Sequence, residues 1–246
     1  MRLLLGVLLL LAGAAPADAE VSDRLTRTVP LTPGTLINVQ VTVGHVNIAG
    51  WDRSDMTVDI VRRAPTAQKL AMASAVIEGA GEIVSIRAVQ PEDGRDASIR
   101  TDVVMRVPAS ARLADVGVFE GRIELSALSG QVSAHADRGE IVAQDVAGTI
   151  RLETSIGNIR VTRATLEPQG LMRLRTFNGD VTVLFAKQPQ HARVLALALN
   201  GRITSDVPLN RKERWGPRWA EATIGNGDAV LSVDVVNGNI NLKLTN

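Results

Sequence analysis

The sequence contains no cysteine and no tyrosine, and its 246 residues include only three tryptophans and three phenylalanines. Without cysteine there are no disulfides, no thiolate chemistry and no Cys-ligated zinc or iron–sulfur site. An excess of one charge is lacking too, since 27 Lys and Arg meet 26 Asp and Glu for a formal net charge of +1. That balance provides no global field to attract nucleic acid or an anionic membrane, so neither is expected as a partner. At 22% charged and 45% hydrophobic residues, the composition fits neither a disordered tail nor a membrane bundle. The scarcity of rings constrains the interior, because aromatics normally dominate core burial. A core here must be built mainly from Val, Ile, Leu and Ala.

Long apolar runs are confined to the start of the chain. Arg2 precedes an apolar run from Leu3 to Ala12, and Ala17-Asp18-Ala19 supplies a small-x-small cleavage pattern. Ten helical residues rise about 15 Å, half a bilayer core, so the run is too short to span. The pattern predicts a signal peptide over 1–19 and a mature chain over 20–246. The expected product is exported, periplasmic or extracellular, with no integral membrane segment after cleavage. No cysteine follows the cleavage pattern, so lipoprotein attachment is not expected.

What the chain has in abundance is a repeat. Glycines stand at 121, 130, 139, 148 and 157, nine residues apart. Two residues after each come Ile123, Val132, Ile141, Ile150 and Ile159, and four after come Leu125, Ala134, Ala143, Leu152 and Val161. One after each glycine come Arg122, Gln131, Glu140, Thr149 and Asn158, and five after come Ser126, His135, Gln144, Glu153 and Thr162, all polar. This is period-2 alternation restarted by glycine, the pattern of short half-buried strands between tight corners. Leu128 and Val146 alternate with Asp137 and Ser155 at a further column, so 18 residues is the better unit. Later copies stretch to 22, at Gly179 and Gly201, and Gly44-His45-Val46-Asn47-Ile48 is an upstream copy. Units this short bury their apolar faces only by stacking.

These features predict an all-β fold, a β-solenoid of stacked short strands with about 18–22 residues per coil. The alternative is an antiparallel sandwich or roll. Asn178-Gly179, Asn200-Gly201 and Asn237-Gly238 are also favoured hairpin pairs, so Leu171 to Phe177 with Asp180 to Phe185, and Val194 to Leu199 with Arg202 to Asp206, could each form a hairpin. One continuous domain is expected, less regular over 28–108 and regular over 109–246. Thr66 to Ile77 is the one plausible helix, with Leu70, Ala73 and Ile77 on one face.

Three stretches carry a family resemblance. They are Val39 to Asp52 with its Gly44-His-Val-x-Ile48 core, the Gly-x-Ile/Val units from 121 to 203, and Ala222-Thr-Ile-Gly225-Asn-Gly227 followed by Leu231 to Leu242. The chain resembles the bacterial β-strand-repeat domain of unknown function catalogued as "putative adhesin", over roughly 36 to 246. The resemblance implies a fold and an adhesin-like role in the cell envelope. It implies no catalytic, cofactor or metal residues.

Searching for chemistry yields little. His45, His135 and His191 lack metal-ligand spacing and are expected at the surface. Asp52, Asp55, Glu92, Asp93 and Asp96 are the nearest approach to the clustered carboxylates of a polysaccharide-cleaving β-helix, but they sit in turns where Asp serves the backbone. The nine-residue calcium-binding repeat needs two glycines and an aspartate per unit, which these units lack. The unusual segment is Asn210 to Trp219, where Arg211, Lys212, Arg214 and Arg218 surround Trp215 and Trp219. Arg with Trp suits stacking on sugars or an anionic group, so these six form the candidate binding loop. Rings covering one end of the stack is the structural alternative. The expected function is a non-enzymatic envelope binding module using outward columns that include Arg151, Arg160, Arg173 and Arg175. Its partner would be an envelope protein or a glycan. A polysaccharide-active enzyme, or an accessory or sensing partner docking through a strand edge, are the alternatives.

Overall fold

The computed structural model describes residues 20–212 and 218–245, so the expected leader lies outside the described residues. Among the described residues the chain is all-β, with eighteen strands in one hydrogen-bonded sheet and a single four-residue helix. The repeat explains the strands. In β7 (Arg112–Leu128) and β8 (Gln131–Val146) alternate residues are buried, but the inward parity switches halfway. In β8 the buried set is Val132, Ala134 and Ala136 before Gly139, and Ile141 and Ala143 after it. The chain therefore turns a corner at the glycine, and each rung has a first-half and a second-half strand. β2 (Leu36–Trp51) turns likewise at Gly44. In later rungs the halves are separate strands: β9 (Thr149–Ile156) with β10 (Ile159–Ala164), and β11 (Leu171–Asn178) with β12 (Val181–Phe185).

Rungs pair in parallel and in register. Ile123 lies opposite Ile141 and Ile141 opposite Ile159, each a shift of 18 residues, and Ile159 lies opposite Val181, a shift of 22. One buried column runs Val46, Ile123, Ile141, Ile159, Val181, Ile240, Ile203. Every member is β-branched, which suits extended backbone and fills a narrow interior without rings. The nine-residue glycine spacing thus resolves into two corners per 18-residue rung. Gly121, Gly139 and Gly157 share one, and Gly130 and Gly148 the other.

Strand order along the stack departs from chain order at both ends. At one end β5 (Ile83–Val89) and β6 (Arg100–Pro108) flank β2 on the side away from β7, so the first rung of the chain is second in space. Three antiparallel strands cover this end: β4 (Ser74–Ala80) on β5, β3 (Asp55–Ala64) on β6, and β1 (Val21–Pro30) on β3. At the other end β13 (Ala192–Asn200) and β14 (Ile203–Ser205) form the outermost rung. The later strands β17 (Ala229–Asn237) and β18 (Ile240–Leu244) lie between it and β11–β12. β16 (Arg218–Ile224) then pairs antiparallel with β13, and β15 (Asn210–Lys212) with β16. An asparagine ladder seams this insertion: Asn237 Nδ2 donates to Asn178 Oδ1 at 2.7 Å, and Asn200 Nδ2 to Asn237 Oδ1 at 2.8 Å.

Two local expectations change. The Asn-Gly pairs at 178 and 200 make no hairpins, because β11 is already flanked by β9 and β17, and β12 by β10 and β18, all parallel. β13 likewise pairs with β16 and β17, and β14 with β18. The helix expected over 66–77 shrinks to α1 (Ala67–Leu70), capped by the Thr66 hydroxyl, which accepts from the Lys69 amide at 3.2 Å. From Ser74 the chain is strand. Val76 and Ile77 favour extended backbone, and β4 gains a full antiparallel ladder with β5. Leu70 and Ala73 still pack together, with Ala64 and Ile99, in a small cluster apart from the main core.

The glycine corners set a steric limit. A Cβ added at Gly139 would fall on the carbonyl oxygen of Gly121, and one at Gly157 on that of Gly139. Gly139 does not adopt a positive φ, so substitution there tests space alone. Gly139→Ala is expected to lower the unfolding free energy by about 2–3 kcal/mol, the upper part of the range for overpacking. Gly94→Ala, whose Cβ would meet the Met72 side chain at 3.9 Å, should change it by under about 0.5 kcal/mol. Chemical denaturation of both variants makes the comparison.

Asp96 ties the loop after β5 to α1. Lys69 beside it, then the Ser98 hydroxyl and amide, hold its carboxyl down at about 2. A depressed carboxyl contributes stability that is fully present above its unfolded value near 4 and lost as pH falls through the folded value. Asp96→Asn should therefore flatten the stability–pH curve between about 4 and 2, as read by thermal unfolding across that window.

Candidate binding face

Period-2 alternation sends every second residue of the first-half strands outward, and the parallel register aligns these residues in columns across rungs. One column runs His135, Glu153, Arg175, Asp234, Leu197, Trp219. Its neighbour runs Ser133, Arg151, Arg173, Ser232, Leu195, Glu221. The candidate loop thus reaches the same face as the arginines. Arg211 and Lys212 belong to β15, Arg218 and Trp219 to β16, and Arg214 and Trp215 lie outside the described residues. Lys212 is paired in register with Trp219, which is 43% exposed.

The arginines do not all share this face. Arg160 lies in β10, beyond the Gly157 corner, in register with Val142 and Thr182 on the second-half strands. The outward columns expected to carry Arg151, Arg160, Arg173 and Arg175 are therefore divided by the corner between two faces.

On the first-half face, Ser133, His135, Asp137, Arg151, Glu153, Arg173 and Arg175 line a hollow of about 440 Å³. His135 and Asp137 also line a second hollow of about 380 Å³, with Gln40, Gln90, Arg95 and Phe119. The Arg95 guanidinium lies 3.9 Å from the centre of the Phe119 ring, and that of Arg138 lies 5.8 Å away. Asp115 ties two of these residues together, accepting from Gln40 Nε2 at 2.7 Å with His135 Nδ1 at 3.2 Å.

The arginines of the larger hollow are loosely held. Arg175 Nη1 is 3.8 Å from Glu153, and Arg173 Nε is 4.0 Å from Asp234. Elsewhere guanidiniums are clamped: Arg24 makes two bonds to Asp59 at 2.5 and 2.6 Å, holding that carboxyl below its usual range. Arg163 does the same to Asp145. Long exposed pairs contribute little to stability and leave donors available to another anion.

Residues named for other chemistry do not converge. Asp55 is taken by Arg53 and Asp96 by Lys69, while His45 faces Asp102 at 3.7 Å. Among the described residues no three His, Asp or Glu side chains are grouped to hold a metal ion.

Sequence reasoning missed Phe119 and Phe177. Val118, Ala136, Thr154 and Thr176 are in register, as are Glu120, Arg138, Ile156 and Asn178, so Phe119 and Phe177 occupy one outward column between them. Phe177 is 56% exposed. Aligning the repeat at shifts of 18 and 22 would have found the pair, because both stand two residues before a corner glycine. If the groove arginines are not structural, Arg173→Ala/Arg175→Ala should alter unfolding free energy by less than about 1 kcal/mol, as measured by denaturation.

No family model matches the chain, and no curated protein matches its sequence. Solved structures do. A "putative cell adhesion protein" from Clostridium sporogenes is 14% identical, with a TM-score of 0.56 over 92% of this chain and 100% of that one. A "putative adhesin" from Bacteroides fragilis is 12% identical, with a TM-score of 0.43 over 95% of this chain and 100% of that one. The chain shares its fold with the Clostridium protein, and these bacterial neighbours carry the adhesin description that the sequence resemblance pointed to.

Proposed function

We propose that the protein is an exported, non-enzymatic binding module of the bacterial envelope, folded as a β-solenoid, and that the outward face of its first-half strands makes the contact. The observation carrying this reading is where the rings lie. Phe119, Phe177 and Trp219 are half of the chain's aromatic residues, and all lie outward on one face among loosely paired arginines. The core takes one ring, Phe185, and is otherwise Val, Ile, Leu, Ala and Met, so it does not draw these three inward. Exposed rings beside guanidiniums are a common composition of binding surfaces.

Further support comes from the apolar leader with its Ala17-Asp18-Ala19 pattern and from the adhesion description of the Clostridium neighbour. An enzyme of the β-helix type would need clustered carboxylates, and Asp55 and Asp96 are instead committed to their own basic neighbours. Docking through a strand edge has less support at the β4 end. There Arg27 donates to the Ile77 carbonyl at 2.9 Å, and Arg62 donates to that of Ala73.

The reading is tested with the chain expressed from Met1 in a bacterium. The exported form should begin at Glu20, and the purified protein should co-sediment with envelope fragments. Phe177→Ala/Trp219→Ala should weaken that association by at least about tenfold without unfolding the chain. Undiminished association would reject this face, and retention of residues 1–19 in the cytoplasm would reject export.

A further inference from the structure

We propose that the trough between Phe119 and Phe177 takes a stretch of acidic polysaccharide, a chain of carboxylated sugars laid across the strands. This rests on the binding-face reading and names its ligand class. The two rings share one outward column and are separated by three rung steps, from β7 through β8 and β9 to β11. At about 4.8 Å per step they stand roughly 14 Å apart. Between them the two hollows meet at His135 and Asp137 and form one open trough rather than a closed pocket. Phe119 lines one hollow beneath Arg95, and Phe177 stands beyond Arg175 at the other end, so an extended ligand can lay an apolar ring face on Phe177 and run toward the Arg95–Phe119 pair.

The charges select the ligand. Arg151, Arg173 and Arg175 present planar forks to the trough, and two of them hold their nearest carboxylates only at 3.8 and 4.0 Å. A guanidinium fork matches a carboxylate with two parallel bonds. Asp137 and Glu153 line the same trough. They would repel a polyphosphate, whose units carry charge and no hydroxyl, yet they accept hydrogen bonds from hydroxyls. A chain whose sugars each pair a carboxylate with hydroxyls meets both requirements. An acidic peptide fits less well. Peptides that bind sheets add a strand at an edge, and the trough lies in mid-sheet, where β8 and β9 already have strands on both sides.

The test is calorimetric titration of the mature chain, residues 20–246, with oligogalacturonate and alginate oligomers. Carboxyl-reduced oligogalacturonate, poly-glutamate and inorganic polyphosphate serve as comparisons. The uronate oligomers should bind, and raised salt should weaken them. Arg173→Ala/Arg175→Ala and, separately, Phe177→Ala should each lower the affinity at least about tenfold. The carboxyl-reduced chain should lose affinity by a similar factor. The proposal is overturned if no uronate binds, if poly-glutamate or polyphosphate binds as well, or if the variants bind like the parent. Should uronates fail while envelope association still depends on Phe177 and Trp219, the ligand class is wrong and the binding face stands. Should both fail, the face itself is wrong.

Discussion

The structure depends on one close approach, that of each corner glycine to the backbone of the rung beneath it. From Gly44 through Gly121, Gly139, Gly157, Gly179 and Gly238 to Gly201, the space a Cβ would need is filled by backbone of the neighbouring rung, mostly its glycine carbonyl. Only with hydrogen there can the corners nest at strand spacing, and only then do the ladders on both sides stay in register. The buried Thr154 and Thr176 hydroxyls reinforce the seam, donating at 3.0 Å to the carbonyls of Gly139 and Gly157. Glycine here serves by absence of volume at every corner, and at Gly44, Gly121, Gly157, Gly179 and Gly238 by its positive φ as well.

That constraint explains why so much of the fold could be read without coordinates. A glycine every nine residues, followed two and four later by apolar side chains, records the corners and the inward columns directly, and Ile123, Ile141 and Ile159 lie where that pattern puts them. Local sequence could not reveal which rung neighbours which. β17 and β18 carry the same strand and Asn-Gly signals as their predecessors, and nothing in Ala229 to Leu244 states that they slip beneath β13. The truncated helix had a different cause: Leu70, Ala73 and Ile77 satisfy helical spacing, but pairing with β5 outweighed it from Ser74 onward. Of the candidate site, Arg218 and Trp219 were legible as an unusual pair of residue types. The alignment of Trp219 with Arg175, and the rings at Phe119 and Phe177, arise from register across rungs and so were hidden.

Inside and outside obey separate rules. Inward columns are filled by aliphatic residues, with Phe185 the one ring in the core among the described residues, and this accounts for the scarcity of rings. Outward columns carry no such limit, and neighbouring rungs are tuned by pairs such as Arg122 with Glu140 and Asn47 with Glu124. A surface of this kind can vary its ligand contacts while the scaffold stays unchanged. The chain's few exposed rings therefore carry information that core residues cannot.

The displaced order of rungs also governs how the molecule comes into being. A polypeptide emerging from the ribosome presents β13 and β14 before β17 and β18, yet in space the later pair separates the earlier one from β11 and β12. Vectorial stacking, each new strand added to the last, cannot build this end. The stack must leave a vacancy one strand thick, or open to admit β17 and β18. Completion of this end is thereby deferred until those two strands have been made.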